Sequence, residues 1–258
     1  MFKKLKKLYL LIVWQFGVDP RRLLTGIVGI PRFINNFFIF KRSYTGRLDF
    51  FPCLHDWYEE SGVTKEEYFW QDLHIARKIY SALPAKHVDI GSRIDGFVAH
   101  VASFREVEVF DIRPNTSDIP GVVFKQADLM NPSESLVEYC DSLSCLHALE
   151  HFGLGRYGDP IDPYGYMSGF KNMSNILQSS GLFYLSVPIG IERVEFNAHR
   201  IFNPKKMVLL AKDNNLLLKD FAWIGVNKIL THSTNLEQDM NMLELESYAL
   251  GIFTFCKN

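Results

Sequence analysis

Residues 146–166, LHALEHFGLGRYGDPIDPYGY, hold two histidines, a glutamate, two aspartates, an arginine and three tyrosines behind a short apolar run. An imidazole titrates near neutrality, so His151, or His199 in the later NAHRIF, is suited to take a proton from an attacking hydroxyl with Glu150 at hand. Asp159 and Asp162 suit sugar hydroxyls, while Arg156 and Arg200 suit a phosphate or carboxylate, with Tyr157 beside them on the acceptor side. Glu150, His151, Asp159 and Asp162 also offer donors to a divalent cation, but no ligand geometry follows from their spacing, and no metal is expected. Gly153, Gly155, Gly158 and Gly165 let this stretch fold back tightly, and Pro160 and Pro163 stiffen it. The plainer reading is a scaffold in which Glu150 and His151 cap a strand, His199 and Arg200 close a pocket, and the loop is held by its own hydrogen bonds.

A second set of residues lies upstream. HVDIGSRIDGF reads as a strand turning through Gly91 toward a helix, with Gly96 allowing close approach where the helix begins and backbone N–H groups are free. The next strand ends in Asp111, 22 residues after Asp89, where an acid meets the two hydroxyls of a ribose. A third ends in KQADLM, placing Asp128 to accept from an adenine amino group. One acid at a strand end is usually a turn or cap residue; three at successive strand ends in this order favour a cofactor. A nicotinamide-binding domain expects G-x-G-x-x-G, and GSRIDG lacks the middle glycine.

These residues need a scaffold that brings several strand ends together. From residue 86, the runs KHVDI, VEVFDI, GVVFK and SLSCLHA read as strands, and GFVAHVASF, SESLVEY and YMSGFKNMSNILQ as helices between or after them. GLFYLSVP, LLLKDFAWIG and SYALGIFTF supply later strands. Such alternation implies a mostly parallel sheet covered on both faces, with ligands beyond the strands' carboxyl ends. Residues 48–85 read as a helical lead-in, with Thr64 and Glu67 as a capping box.

The order Asp89-x-Gly91-x-x-x-x-Gly96, Asp111, Ala127-Asp128 resembles the cofactor half of class I S-adenosylmethionine (SAM) dependent methyltransferases. More closely, HVDIGSRIDGF, DIRP, LHALEHFGLGRYGDPIDPYGY, LSVPIG and NAHRIF together resemble a bacterial family catalogued as domain of unknown function 268, from about residue 86 to at least Phe202. The resemblance implies a three-layer, Rossmann-like α/β methyltransferase fold with about seven strands. It also implies SAM as cofactor, with Asp89, Gly91, Arg93, Gly96, Asp111, Asp128, Leu129 and His147 around it. Arg93 departs from the usual glycine; at that position it either crowds the cofactor or holds its methionine carboxylate. The lead GVDPRRLLTGIVGIPRF resembles segments preceding methyltransferase-like proteins of surface-glycan gene clusters, which implies a glycan context without establishing the acceptor; a hydroxyl of a sugar or glycan precursor is the expected one. The contrasting expectation is a non-catalytic protein that keeps the fold and recruits or regulates glycan enzymes.

Composition sets the bounds. With 47% apolar and 22% charged residues over 258 positions, the chain can bury a sizeable core. Its four cysteines show no paired spacing, which suits a reducing cytoplasm. Residues 1–47 hold ten Lys or Arg against the single acid Asp19, and the rest of the chain is acidic. Within them, Leu5, Leu8, Tyr9, Ile12, Val13 and Phe16 follow helical spacing, with an apolar run too short to span a bilayer. GIPRFINNFFIFKR predicts a second helix, with Pro31 at its start and Lys41 and Arg42 at its end. Two such helices fit an anionic membrane surface on the inner face of the cytoplasmic membrane, or else pack on the catalytic domain or on a second copy in a homo-oligomer. No nucleic-acid motif accompanies the charge. The expected organisation is a basic helical extension over 1–47, the lead-in over 48–85 and a SAM-binding domain over 86–258.

Overall fold

A computed structural model of the chain describes residues 9–13, 15–59, 61–62, 64, 66–132 and 136–258. It divides into two compact units, residues up to 63 and residues from 64 onward. The lead-in expected over 48–85 is thereby shared between them.

In the first unit, residues 9–13 and 15–16 are helical, and the opening lysines, Leu5 and Leu8 lie outside the described residues. The main element is helix α1 (Pro20–Lys41). Its start differs from the expectation at Pro31. Asp19 caps it by accepting from the Arg21 N–H, Tyr9 donates its hydroxyl to the same carboxylate at 2.7 Å, and Pro20 takes the first position, where no N–H is needed. Pro31 lies inside the helix. The one buried residue of α1 is Gly29, where a Cβ would stand 2.2 Å from the Leu54 carbonyl oxygen. One turn on, Arg32 donates to that carbonyl at 3.2 Å and covers the Trp57 ring. Leu23, Leu24, Ile27, Val28, Ile34 and Phe38 are exposed. By length and composition, with a mean hydropathy of 1.5, α1 is long and apolar enough to cross a membrane.

The second unit is a three-layer α/β fold around one eight-stranded sheet of order β3-β2-β1-β4-β5-β10-β8-β9. The strands are β1 (His87–Ile90), β2 (Val107–Asp111), β3 (Val122–Gln126), β4 (Cys140–Leu146), β5 (Leu177–Ile189), β8 (Leu216–Ile224), β9 (Leu230–His232) and β10 (Ala249–Lys257). The pairs from β3 to β5 are parallel, and those joining β5, β10, β8 and β9 are antiparallel. The strand beyond the expected seven is β9, a three-residue edge that no apolar run marks. A separate hairpin pairs β6 (Arg193–Glu195) with β7 (His199–Ile201), and it carries NAHRIF.

Alternation along the strands divides the core by face. Val109 and Tyr184 join Ile75 and Ile79 of helix α2 (Glu67–Ala82), together with Phe97 and Val101. Phe110, Phe183 and Leu185 join helices α4 (Gly165–Ile176), α5 (Pro204–Asp213) and α6 (Leu236–Leu243) on the other face. The segment after β1 is a five-residue π-turn (Ile94–Val98) continued by the short α3 (Ala99–Ala102). The helix expected from SESLVEY begins in residues outside those described. Thr64 does not cap α2: the helix begins at Glu67, so Glu66 occupies the cap position, without a side-chain bond, and Glu67 accepts from the Tyr248 hydroxyl. Since β2 and β3 lie on one side of β1 and β4 on the other, the strand order reverses between β1 and β4, and loops from both converge there.

Candidate active site

Asp89 is fully buried at the end of β1. It accepts from the Ser92 N–H at 3.0 Å, the Ser92 hydroxyl at 2.7 Å and the Ser144 hydroxyl, and Ser92 in turn accepts from the Leu146 N–H at 3.1 Å. This carboxyl ties the turn to β4 and does not reach into open space. Burial pushes its pKa up to about 7 against those donors. Gly91 has φ +67°, and a Cβ there would stand 3.0 Å from the Ala148 methyl, so both backbone and contact require glycine. At Gly96 a Cβ would meet the Asp72 carboxylate at 2.8 Å. Arg93 pairs with Asp95 and lies over the Tyr68 ring.

The next two strand ends are partnered within the chain. Asp111 accepts from the Arg113 N–H at 2.8 Å and from two nitrogens of the Arg113 guanidinium. Asp128 accepts from the Met130 N–H at 2.9 Å in a tight turn, and Leu129 beside it is buried. Arg113 stacks over Tyr157, so the loop after β4 lies across the end of β2.

At the switch point itself lies a buried group of acids, imidazole and phenols. His147, at φ +52°, donates from Nδ1 to Glu150 Oε1 at 2.9 Å, and its Nε2 stands 3.7 Å from Glu67. Tyr68 packs on its ring at 4.6 Å, and Tyr248 donates to Glu67 at 2.6 Å. Burial works to lower the His147 pKa, but the Glu150 hydrogen bond and the charges of Glu150 and Glu67 outweigh it and raise it. Burial likewise works to raise Glu150, and His147 overcomes it and holds the carboxylate ionised. Asp72, 5% exposed, is pushed up by burial. Two buried polar atoms here, His147 Nε2 and Glu150 Oε2, have no hydrogen-bond partner. Such atoms cost stability unless a ligand or water satisfies them.

The loop 146–166 sorts into two kinds of residue. His151 donates from Nδ1 to the Ala198 carbonyl at 2.7 Å, which leaves Nε2 as the basic nitrogen, 3.8 Å from Glu150. Burial lowers its pKa, so the ring is neutral at pH 7. Arg156 reaches the same carbonyl at 2.8 Å, Tyr157 lies between Arg113 and Arg156, and His199, also lowered by burial, packs near Tyr248. The other residues hold the loop. Asp159 accepts from the Gly155 and Tyr157 N–H groups, and Asp162 from that of Tyr164. Arg200, 4% exposed, directs its guanidinium at the backbone carbonyls of Glu150, Phe152, Asp162 and Pro163. Asp159, Asp162 and Arg200 are therefore engaged by backbone rather than turned to an acceptor, and the two aspartates do not join Glu150 and His151 in a ligand set among the described residues.

Residues 106–250, more than half of the sequence, match the family described as "Caenorhabditis protein of unknown function, DUF268". The chain belongs to this family. No curated protein matches it. Among solved structures it is similar to the 1,6-didemethyltoxoflavin-N1-methyltransferase of Burkholderia thailandensis bound to 1,6-didemethyltoxoflavin and S-adenosylhomocysteine, at TM-score 0.51 and 13% identity over 74% of this chain and 79% of that one. It is also similar to the N-methyltransferase NodS of Bradyrhizobium japonicum WM9, at TM-score 0.51 and 12% identity over 77% of this chain and 99% of that one. At these identities the likeness shows a shared Rossmann-like methyltransferase fold. The DUF268 match begins just before β2, so the β1 turn and α2 precede the matched region.

Glu67, Tyr68, Asp72 and Tyr248 are the site residues that sequence reasoning missed. Glu67 and Gln71, like Tyr68 and Asp72, stand four apart, so α2 opens with a polar patch just ahead of its buried Ile75 and Ile79. That pattern was available in the sequence, but nothing in it says which strand ends the helix would cover.

Proposed function

We propose that the chain is a SAM-dependent methyltransferase whose donor site lies at the β1–β4 switch point, with the acceptor under the loop 146–166. The supporting observation is the pair of buried, unpartnered atoms His147 Nε2 and Glu150 Oε2 amid the carboxylates of Glu67 and Glu150. SAM carries an ammonium, a sulfonium and a carboxylate; the free Glu150 Oε2 amid surplus negative charge fits a cation, and the unpartnered His147 Nε2 fits an oxygen that accepts a hydrogen bond. When bound, SAM supplies a methyl group on positively charged sulfur. Asp111 is suited to the ribose and Asp128 to the adenine amino group, while Gly91 keeps the turn narrow. Arg113 must release Asp111 for the ribose to enter.

On the acceptor side we propose an oxygen nucleophile, a hydroxyl of a sugar or glycan precursor. His151 Nε2 is the base, because the Ala198 carbonyl fixes the tautomer and its depressed pKa keeps it neutral. Arg156 and Tyr157 line the approach. A second reading, a non-catalytic member of the fold, is favoured by one observation: Asp111 is already bound on both oxygens by Arg113. We also propose that α1 seats the protein on an anionic membrane surface, since its apolar side chains are exposed and basic residues flank it.

Calorimetry with SAM separates the two readings. The enzyme should bind SAM and transfer its tritiated methyl group to a component of a host extract. Asp111→Ala should weaken binding by about 2–3 kcal/mol, as for loss of charge-assisted bonds. A wild-type chain that takes up no SAM overturns the proposal.

A further inference from the structure

Two turns along α2 from Glu67, His74 faces Asp220 of β8 and His232 of β9, and one ligand atom from each lies within 4.8 Å of the others. The backbone imposes this meeting. Asp220 and Ala222 share a face of β8 by the two-residue period, and His232 pairs directly with Ala222. The same face carries Ala222 and Ile224, on which Ile75 and Ile79 of α2 pack, so His74 is delivered by a helix already fixed in place. Asp220 is at the level of Thr254, Tyr184, Ser144 and Asp89 in successive strands. Four strand spacings, about 19 Å, thus separate it from Asp89.

His74 Nε2 is buried and has no hydrogen-bond partner, although the ring packs edge-on against His232 at 5.1 Å. The His74 imidazole, with a carboxylate and a second imidazole, makes up the donor set of a zinc site with three protein ligands and an open fourth position. One group opposes this. Lys78, one turn along α2, places its ammonium on Asp220 Oδ2 and on the Thr254 hydroxyl at 3.0 Å. It occupies one of the two carboxylate oxygens, and its four-carbon stem lets it withdraw while keeping Thr254. Tetrahedral zinc needs ligand atoms roughly 3.3 Å apart, so the three side chains must draw in by about an ångström or more, within rotamer adjustment.

We propose that His74, Asp220 and His232 form a binding site for a zinc-class divalent cation that staples α2 to the β8–β9 edge of the sheet. The cation cross-links α2 to the paired strands β8 and β9, some 146 residues further along the chain. It thereby stiffens the helix that presents Glu67, Tyr68 and Asp72 to the donor site.

The test is titration of the metal-free full-length chain with Zn2+ alone, and with Co2+ as a spectroscopic probe, in a His55→Gln background. That background removes the surface group His55, Asp56 and Glu59, which gathers comparable ligands. The chain should take up one equivalent, give the intense visible bands of tetrahedral Co2+ and melt at a higher temperature with Zn2+. His232→Gln, at an exposed edge position where folding is not at risk, should lower affinity at least a hundredfold and abolish the bands. Lys78→Gln should tighten binding by removing the competing ammonium. Absence of stoichiometric uptake, or uptake unchanged in His232→Gln, overturns the proposal. So does weaker binding in a folded Lys78→Gln.

Discussion

Replacing Arg200 tests whether it clamps the loop 146–166 or binds an acceptor. Its guanidinium is almost wholly buried and reaches the Phe152 carbonyl at 2.5 Å and the Pro163 carbonyl at 3.2 Å, with longer approaches to Glu150 and Asp162 at 3.3 and 3.4 Å. Counting only the two shorter bonds, at about 1.5–3 kcal/mol each for a charged donor, the clamp contributes about 3–6 kcal/mol. Arg200→Met retains much of the packing on Tyr166 and relieves the cost of burying a charge, so the lower end applies, about 3 kcal/mol. Arg200→Lys keeps the charge but loses the fork, and should fall between Met and wild type. Urea unfolding at pH 7 measures the loss, and limited proteolysis should show new cleavage among residues 153–164. If Arg200→Met unfolds within 0.5 kcal/mol of wild type and its loop resists protease while acceptor KM rises, the clamp is wrong and the arginine binds substrate.

Other outcomes follow from the same geometry. His151→Gln should retain SAM affinity and lower kcat by about 10²–10⁴, with His199→Gln as the control for which imidazole is the base. Because burial lowers the His151 pKa, kcat/KM should climb with pH below 6.5 and level off by neutrality, and a limb centred above pH 7 would rule His151 out. Asp89, held near 7 by burial against a usual value of 3.8, is neutral in the folded chain at pH 5 but must ionise above 7. Its contribution to stability is therefore present at pH 4 and lost as pH rises through 7, a decline of about 4 kcal/mol in all, of which about 3 kcal/mol falls between pH 5 and 8 and should be absent from Asp89→Asn in urea unfolding at those two pH values. Attachment to anionic vesicles should weaken with salt, and Lys41→Gln with Arg42→Gln should reduce it roughly thirtyfold, at about 1 kcal/mol per charge. No co-sedimentation even at low salt would instead favour packing of α1 against protein.

The β-α alternation from residue 86 was legible because its strands are apolar runs bounded by turn residues, most of them buried, although β3 has no buried residue. β1, β2, β4 and the late strands fall where the runs predict. Elements lacking that signature were not legible. β9 is three residues with no buried side chain, and exists because β8 offers it an edge. The start of α1 was misplaced because Pro31 and Pro20 both suit a first turn, and only Asp19 supplies the cap. Gly91 was legible as a tight turn from its place after a strand. Gly96 was assigned to close approach, and the structure shows the Asp72 carboxylate in that space.

The polar residues divide along a physical line. Sequence shows which side chains carry charge, but whether a charge serves ligand or scaffold depends on the nearest unsatisfied backbone group. In a glycine- and proline-rich loop those groups are many. Asp159 and Asp162 answer N–H groups within four residues, and Arg200 answers carbonyls some forty residues away, so the polar density of 146–166 largely reports the cost of folding an irregular loop against a buried sheet end. His147, Glu150 and His151 differ because they sit at the start of the loop, directly after β4, where α2 brings Glu67 and Tyr68 beside His147. The balance of charge there cannot be read from one segment. Glu67 precedes His147 by 80 residues and Tyr248 follows it by about a hundred, and only the sheet order places all three together. Glu67→Gln is accordingly the substitution whose effect the sequence gives least reason to expect. It should lower the His147 pKa by removing one of the carboxylates, Glu150, Glu67 and Asp72, that raise it, a shift that imidazole NMR titration reads directly. An unchanged His147 titration would mean that Glu150 alone sets the charge of the site.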